Sequence, residues 1–481
     1  MSKPIPSRAL ERPPAGELGG VRSSRVTFHS YESPAPPSKV DCDALLRTRL
    51  SCAAETDAEF WSFRRDAKRT NGHGCFQYPA MTVPQLQRFL IQSVRSVAPN
   101  LRRVLDPFVG SGTTMIECMM EGLDFVGYDI NPLAVLLCRS KIAGTTSDAL
   151  SAVPEEIRAR ITSDSSESID VSFDNLNKWF RHDVAVALSK VRRAIQSQPQ
   201  VEVRQVCWVA FAETIRVSSN SRTSTFKLHT RPSAEIKGRV LDPIDTFLTI
   251  LRNNSTEIAS QRTLLEAEGH SLGRQHARSI DVRLRDITQP TETPEPIFDM
   301  VITSPPYGDN ATTVPYGQHS YLPLQWIDPK DLDEAFDGSY LRSTHEIDRR
   351  SLGGVRRGAL LEVREVREKS PSLDLVLCGL ETFPRDRKTR VAAFFRDFDL
   401  SLNEISASVR EGGYLVWTVG NRCVGGQRVC FDDILIELLA SRHVSEVARV
   451  TREIPSKRMA RKNSVSPTMA KETIIVFRKG V

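Results

Sequence analysis

The chain has 481 residues and a formal net charge of +6, from 65 basic and 59 acidic side chains. At 40% hydrophobic and 26% charged it has the composition of a globular protein, long enough for two or three domains or for one large domain with insertions. The mild basic excess permits a polyanionic partner without demanding one, and the nine cysteines include no C-x-x-C pair, so the spacing offers neither a zinc site nor a disulfide framework and no metal is expected.

Residues 1–40, rich in Pro, Ser and Arg, are expected to form a disordered arm. They lack the apolar core of a signal peptide, and no run of about 18 apolar residues occurs anywhere, so no membrane span and a cytoplasmic location are expected. Residues 41–144 form the first core segment. Within it, "LRRVLDPFVGSGTTMIECMMEGLDFVGYDINPLAVLLCRSK" at 101–141 reads as a strand at 101–105, a Gly-rich turn, a helix at 113–121, a strand at 124–128 and a helix at 133–140. That alternation predicts a parallel α/β sheet. Residues 145–270 carry apolar side chains at helical spacing with no comparable strand signal, which predicts a helical insertion. The α/β pattern returns in 271–327 with "FDMVITSPPY". It is interrupted by a polar, Arg/Gly-rich excursion at 328–388. It resumes in 389–481 as helix, Gly-Gly turn, strand, helix and two closing strands.

The turn "DPFVGSGTT", 106–114, joins the first strand to its helix. Gly110 and Gly112 allow positive φ and close approach of a ligand, and the following helix offers free N–H groups to an anionic group. Asp129 ends the second strand, seventeen residues after Gly112, where a carboxylate can accept both hydroxyls of a ribose. No Gly-Lys-Ser/Thr follows, so the turn is not a Walker A loop, and Met115 breaks the full G-x-G-x-x-G pattern. A nucleoside with a small anionic tail fits better than a phosphate-rich nucleotide.

"DMVITSPPYGDN", 299–310, ends a strand on two prolines, and prolines cannot continue a sheet ladder. In an open α/β sheet ligands bind beyond the carboxyl ends of the strands. A stiff turn there would aim the Ser304 side chain and the Pro305 carbonyl outward as two acceptors, with the face of Tyr307 beside them. Two acceptors and a ring suit a planar heterocycle with an exocyclic amine.

"DPFVGSGTT" with "TSPPY" resembles the S-adenosylmethionine-dependent amino-methyltransferases of DNA, the cytosine-N4 and adenine-N6 group. "HGCFQYPAM", 73–81, resembles that family's first cofactor segment, and "EGGYLVWTVGN" and "KETIIVFRK" its later strands. The match covers roughly 71–141, 271–327 and 391–481. The resemblance implies a Rossmann-like class I methyltransferase sheet, mostly parallel with an antiparallel last strand. It implies that Tyr78, Asp106, Phe108, Gly110, Ser111, Gly112, Thr113, Asp129, Ile130 and Asn131 hold S-adenosylmethionine. Ser304, Pro305, Pro306 and Tyr307 would be catalytic, and Asp309 and Asn310 would meet the substrate. The implied substrate is a base flipped out of DNA, with a cognate restriction endonuclease or defence-system partner. Ser in first place of the motif resembles the cytosine-N4 subset; adenine N6, or an RNA amino group on the same core, is the alternative. Methylation at cytosine carbon 5 requires a cysteine nucleophile, which that family places in Pro-Cys, and no cysteine here follows a proline.

The chain departs from the family in "GRQHARSIDVR", where His276 stands at the place of an acid and Asp281 is the expected substitute. Target recognition is assigned to the helical block 145–270. The Arg pairs of 349–358 and the basic run 457–463 are candidate phosphate contacts, and Trp179 is read as core.

Overall fold

The computed structural model describes residues 39–56, 60–63, 70–142, 147–272, 275–291, 295–310, 312–454 and 470–480. Seven strands form the central sheet: β1 (Arg103–Asp106), β2 (Asp124–Asp129), β3 (Ile280–Leu284), β4 (Phe298–Thr303), β5 (Val409–Val419), β6 (Val444–Glu453) and β7 (Lys471–Lys479). Their spatial order is β6-β7-β5-β4-β1-β2-β3. Pairs β1–β2, β1–β4, β2–β3 and β4–β5 are parallel, whereas β7 runs antiparallel to both β5 and β6. This is the expected Rossmann-like class I methyltransferase sheet. The chain leaves β1 toward β2 and β3 and returns on the other side with β4. The carboxyl ends of β1 and β4 therefore flank a topological switch point, where such sheets open a crevice.

Alternation along each strand sorts side chains between two cores, because successive Cβ atoms point to opposite faces. Val104, Met300, Val416 and Val476 belong to one buried cluster; Leu105, Val301, Leu415 and Phe477 belong to the other. The first face is covered by α1 (Lys39–Thr56), α2 (Pro84–Val97), α3 (Thr113–Met120) and α4 (Pro132–Ile142). Residues 147–270 supply four long helices, α5 (Ser147–Ser163), α6 (His182–Gln196), α7 (Val201–Ser218) and α8 (Pro243–Ala267). The apolar side chains of these four join the same cluster as Phe125 and Leu137, and Trp208, Phe211 and Phe247 are fully buried there. The block is thus a layer continuous with the sheet's core. A further helix, α9 (Tyr316–Trp326), follows the β4 loop directly. The second face carries α10 (Arg385–Ser408), α11 (Phe431–Ala440) and short helices between 359 and 379.

The expected arm lies, up to residue 38, outside the described residues, whose first helix begins at Lys39. One local expectation is corrected. Gly412 and Gly413 do not separate helix from strand. The helix runs to Ser408, β5 starts at Val409, and the glycines lie in an irregular stretch where pairing with β4 jumps from Phe298↔Val409 to Met300↔Tyr414. Gly412, at φ 73°, accommodates the extra residues. Trp179 is buried among apolar side chains, as expected. Among the described residues no helix is long and apolar enough to cross a membrane.

Candidate active site

The β1 turn is built from short contacts. Gly110 (φ 50°) and Gly112 (φ 75°) both take left-handed backbone, and a Cβ on Gly112 would lie 2.8 Å from the Cys138 sulfur of α4. Gly112 thus serves the packing of turn against helix. The Lys141 ammonium, buried, donates to the Ser111 carbonyl at 2.6 Å and fixes the middle of the turn. Asp106, at the end of β1, accepts from Phe108 N at 3.1 Å and from the Thr303 hydroxyl of β4 at 2.6 Å, which ties the two strands together at the switch point. Burial pushes its carboxyl up to about 6 against these hydrogen bonds.

Asp129 closes β2. One carboxylate oxygen accepts from Gly110 N at 2.9 Å and the other from Asn131 N at 2.8 Å. Each oxygen keeps a further lone pair, so the turn is braced and two acceptor directions remain for a diol. Burial raises this carboxyl as well, to about 6. The Asn131 amide donates to the Tyr78 phenol oxygen at 3.0 Å and to the Ser320 hydroxyl of α9 at 2.8 Å, which joins the segment 73–81, the β2 turn and α9. The Tyr78 ring lies 5.6 Å from that of Tyr316. Burial first, then the charge of Asp129, raises the Tyr78 phenol well above its usual range, so it remains a phenol. His319, one turn along α9, is pushed by burial to about 3 and stays neutral.

These elements enclose a cleft of about 930 Å³, its open mouth included, at the carboxyl ends of β1, β2, β3 and β4. Of the sequence-predicted residues, Tyr78, Asp106, Phe108, Gly110, Ser111, Thr113, Asp129, Ile130 and Asn131 line it, together with Ser304, Pro306 and Asn310. Gly112, Pro305, Tyr307 and Asp309 stand behind the wall. Tyr307 packs its ring against the second core, and its hydroxyl lies 3.1 Å from Ser304 Oγ and 3.1 Å from Glu472 of β7. Asp309 pairs with Arg422 at 3.3 Å, in the short hairpin after β5, and the buried Asn310 Oδ1 has no hydrogen-bond partner among the described residues.

The structure corrects the expectation for the β3 segment. The His276 ring bonds the Ile142 carbonyl at 3.1 Å in a small hairpin, and Asp281 pairs with Arg283 at 2.6 Å; neither lines the cleft. The strand-end acid is Asp286, two residues past β3, with Arg285 and Ile287 beside it on the cleft wall. The rule that singled out Asp129, an acid just past an apolar strand, would have found Asp286. Tyr316 and Ile347, also on the wall, come from segments with no local signal, whereas Arg350 belongs to an Arg pair read as a phosphate contact. The basic run 457–463 lies outside the described residues. Of the Arg pairs, Arg350 is folded inward, with its guanidinium 3.9 Å above the Tyr340 ring.

The cleft fits S-adenosylmethionine. It pairs a two-acceptor carboxylate with a glycine turn open to the ligand, and it leaves one unpartnered buried acceptor on its substrate side. The DNA methylase family model (N6_N4_Mtase) matches residues 43–138. The chain is 30% identical over 455 residues, 91% of its length and 98% of the relative's, to the type II methyltransferase M.MvaI of Kocuria varians. It is 29% identical over 94 residues, 20% of this chain and 17% of the relative's, to the type II methyltransferase M.MjaII of Methanocaldococcus jannaschii. The solved structure of the rRNA methyltransferase aviRa from Streptomyces viridochromogenes aligns over 86% of this chain and 96% of that one, at a TM-score of 0.33 and 10% identity, a likeness too distant to add to the argument. Near-complete coverage of a relative at this identity places the whole chain, not only its glycine turn, within one family: it belongs to the N4/N6 DNA amino-methyltransferases, whose methyl donor is S-adenosylmethionine.

Proposed function

We propose that this chain methylates N4 of cytosine at a specific sequence in double-stranded DNA, in the cytoplasm and beside a cognate restriction endonuclease. The observation that carries the reading is the position of Ser304. It is the first residue after β4 at the switch point and lines the same cleft as Asp129. An amine acceptor and a nucleoside-binding carboxylate thus share one cavity.

The bound cofactor supplies an electrophilic methyl on a sulfonium. The protein's part is positioning and electrostatics. The cytosine amine is weakly nucleophilic because its lone pair is delocalised into the ring. Ser304 Oγ accepts one of its hydrogens and favours a pyramidal nitrogen; the Pro305 carbonyl, expected as the second acceptor, does not line the cleft. Pro305 and Pro306 hold Ser304 stiff, and the Tyr307 ring, expected to stack on the base, instead packs on the second core with its hydroxyl against Ser304. Ser as the first motif residue supports cytosine over adenine.

Target recognition falls to the helical block. The loop between α7 and α8 exposes Arg222 and Lys227, and its Leu228 N–H donates to the Gln318 side chain of α9 at 3.1 Å. Cationic side chains on such a loop suit phosphate contact. Nucleoside analysis of DNA from a host expressing the gene is expected to show N4-methylcytosine. N6-methyladenine in its place would make the chain an adenine enzyme. Exchange of residues 219–232 for those of a relative with another specificity should change the modified sequence; an unchanged sequence would move recognition elsewhere.

A further inference from the structure

Ser304 is the inner end of a chain of hydrogen bonds running behind the cleft wall to the last strand. Its oxygen lies 3.1 Å from the Tyr307 phenol oxygen, which lies 3.1 Å from Oε1 of Glu472. Glu472 Oε2 pairs at 3.3 Å with the Arg452 guanidinium, whose residue stands directly opposite on β6. The Arg452 side chain is 4% exposed and that of Glu472 18%, so the ion pair is largely withdrawn from water.

A serine hydroxyl by itself is ambivalent: it rotates, donates once and accepts twice. A carboxylate held against a guanidinium only accepts. The Tyr307 hydrogen is therefore directed to Glu472. Burial, then the charge of Glu472, raises the phenol well above its usual range, so that hydrogen stays in place at neutral pH. With its own hydrogen committed, the Tyr307 oxygen can only accept within this chain, and the Ser304 hydrogen points to it. Both lone pairs of Ser304 are then left for the cleft. An amine hydrogen arriving there meets an acceptor rather than a competing O–H.

We infer that Glu472 is a positioning residue for methyl transfer, acting through Tyr307 to hold Ser304 as an acceptor for the target amine. The inference rests on the amine-methylation reading but not on the choice of base.

The test compares wild type, Tyr307→Phe, Glu472→Gln and the double variant in steady-state kinetics on duplex DNA, with cofactor affinity measured by calorimetry. Tyr307→Phe keeps the ring and leaves the Glu472–Arg452 pair intact, so it reads the relay even where Glu472→Gln fails to fold. Both single variants are expected to lose kcat on the order of tenfold, with KM for DNA and cofactor affinity unchanged. Glu472→Gln should cost nothing further once the phenol is gone. Wild-type kcat in Tyr307→Phe, or an equal Glu472→Gln penalty with and without the phenol, would overturn the inference. A wild-type chain that leaves no methylated exocyclic amine in the DNA would instead overturn the reading on which it rests.

Discussion

Two carboxyls, Asp106 buried and Asp129 half-buried, set the behaviour of the cofactor half of the cleft, and they do so differently. Asp129 spends one lone pair of one oxygen on Gly110 N of the β1 turn and one of the other on Asn131 N of its own, and keeps the others for a ligand. Asp129→Ala should weaken S-adenosylmethionine binding by about 1.5–3 kcal/mol, the worth of a hydrogen bond to a charged group. Because burial raises this carboxyl to about 6, calorimetric affinity in the wild type should fall as pH drops through that value. The slope should be absent in Asp129→Ala; a persisting slope would assign the titration to Asp106. Asp106 points to stability. A carboxyl raised from 3.8 to about 6 binds a proton in the folded chain where the unfolded chain does not. Its favourable contribution is complete below 3.8 and is lost as pH rises through about 6, a difference of at most about 3 kcal/mol. Asp106→Asn keeps an oxygen for Phe108 N and Thr303. It should therefore melt above wild type at pH 8, with the gain shrinking by pH 5.

At the scale of elements, the loop after β4 is held from outside. Arg422, in the hairpin formed by Arg422–Val424 and Gln427–Val429, bonds Asp309 at 3.3 Å and Thr312 at 3.1 Å. Gly308 lies directly beneath its guanidinium. A Cβ there would come within 2.1 Å of the Arg422 Nη1, at a φ of 151° that side chains rarely adopt. Gly308→Ala should strain the loop backbone and push the Arg422 guanidinium off Asp309, which shifts the catalytic loop without touching the Asp129 wall. DNA methylation is expected to fall on the order of 10²-fold, as for a misplacement of about 1 Å near a reacting centre, while cofactor affinity is retained. Parallel loss of both would mean that the two walls move as one.

In the whole molecule, the helical block is inseparable from the sheet it covers. Trp208, Phe211 and Phe247 bury against the same cluster as Leu133 and Leu137 of α4. Each such side chain contributes roughly 1.5–3 kcal/mol, and a domain's net stability is only about 5–15 kcal/mol. Deletion of residues 147–270 should therefore abolish cooperative thermal unfolding and leave an insoluble chain. A deletion variant that melts cooperatively would show that the sheet carries its own core. The arrangement also explains why exchange of the loop 219–232 is the better probe of recognition than removal of the block.

What the sequence determined by itself was whatever depends on neighbours along the chain. Buried strands announced themselves as short apolar runs, the β1 turn by its glycines, and the end of β4 by two prolines that cannot continue a ladder. Asp129 was legible for the same reason: an acid closing an apolar strand. Asp286 had equal local signal and was passed over for Asp281, because its exact strand end is set by pairing with β2 and not by the residues themselves. The tertiary structure alone decided the rest. The alliance of Ser304, Tyr307 and Glu472 spans 165 residues between its last two members, and the Asn131–Ser320 bond spans 189. Hydrogen-bond partners at such separations are chosen by strand order and helix packing, which leave no periodic trace in either segment. The same holds for the gap in pairing at Gly412 and Gly413. A pair of glycines reads locally as a turn, and only the register of β5 against β4 makes it an irregularity within a strand.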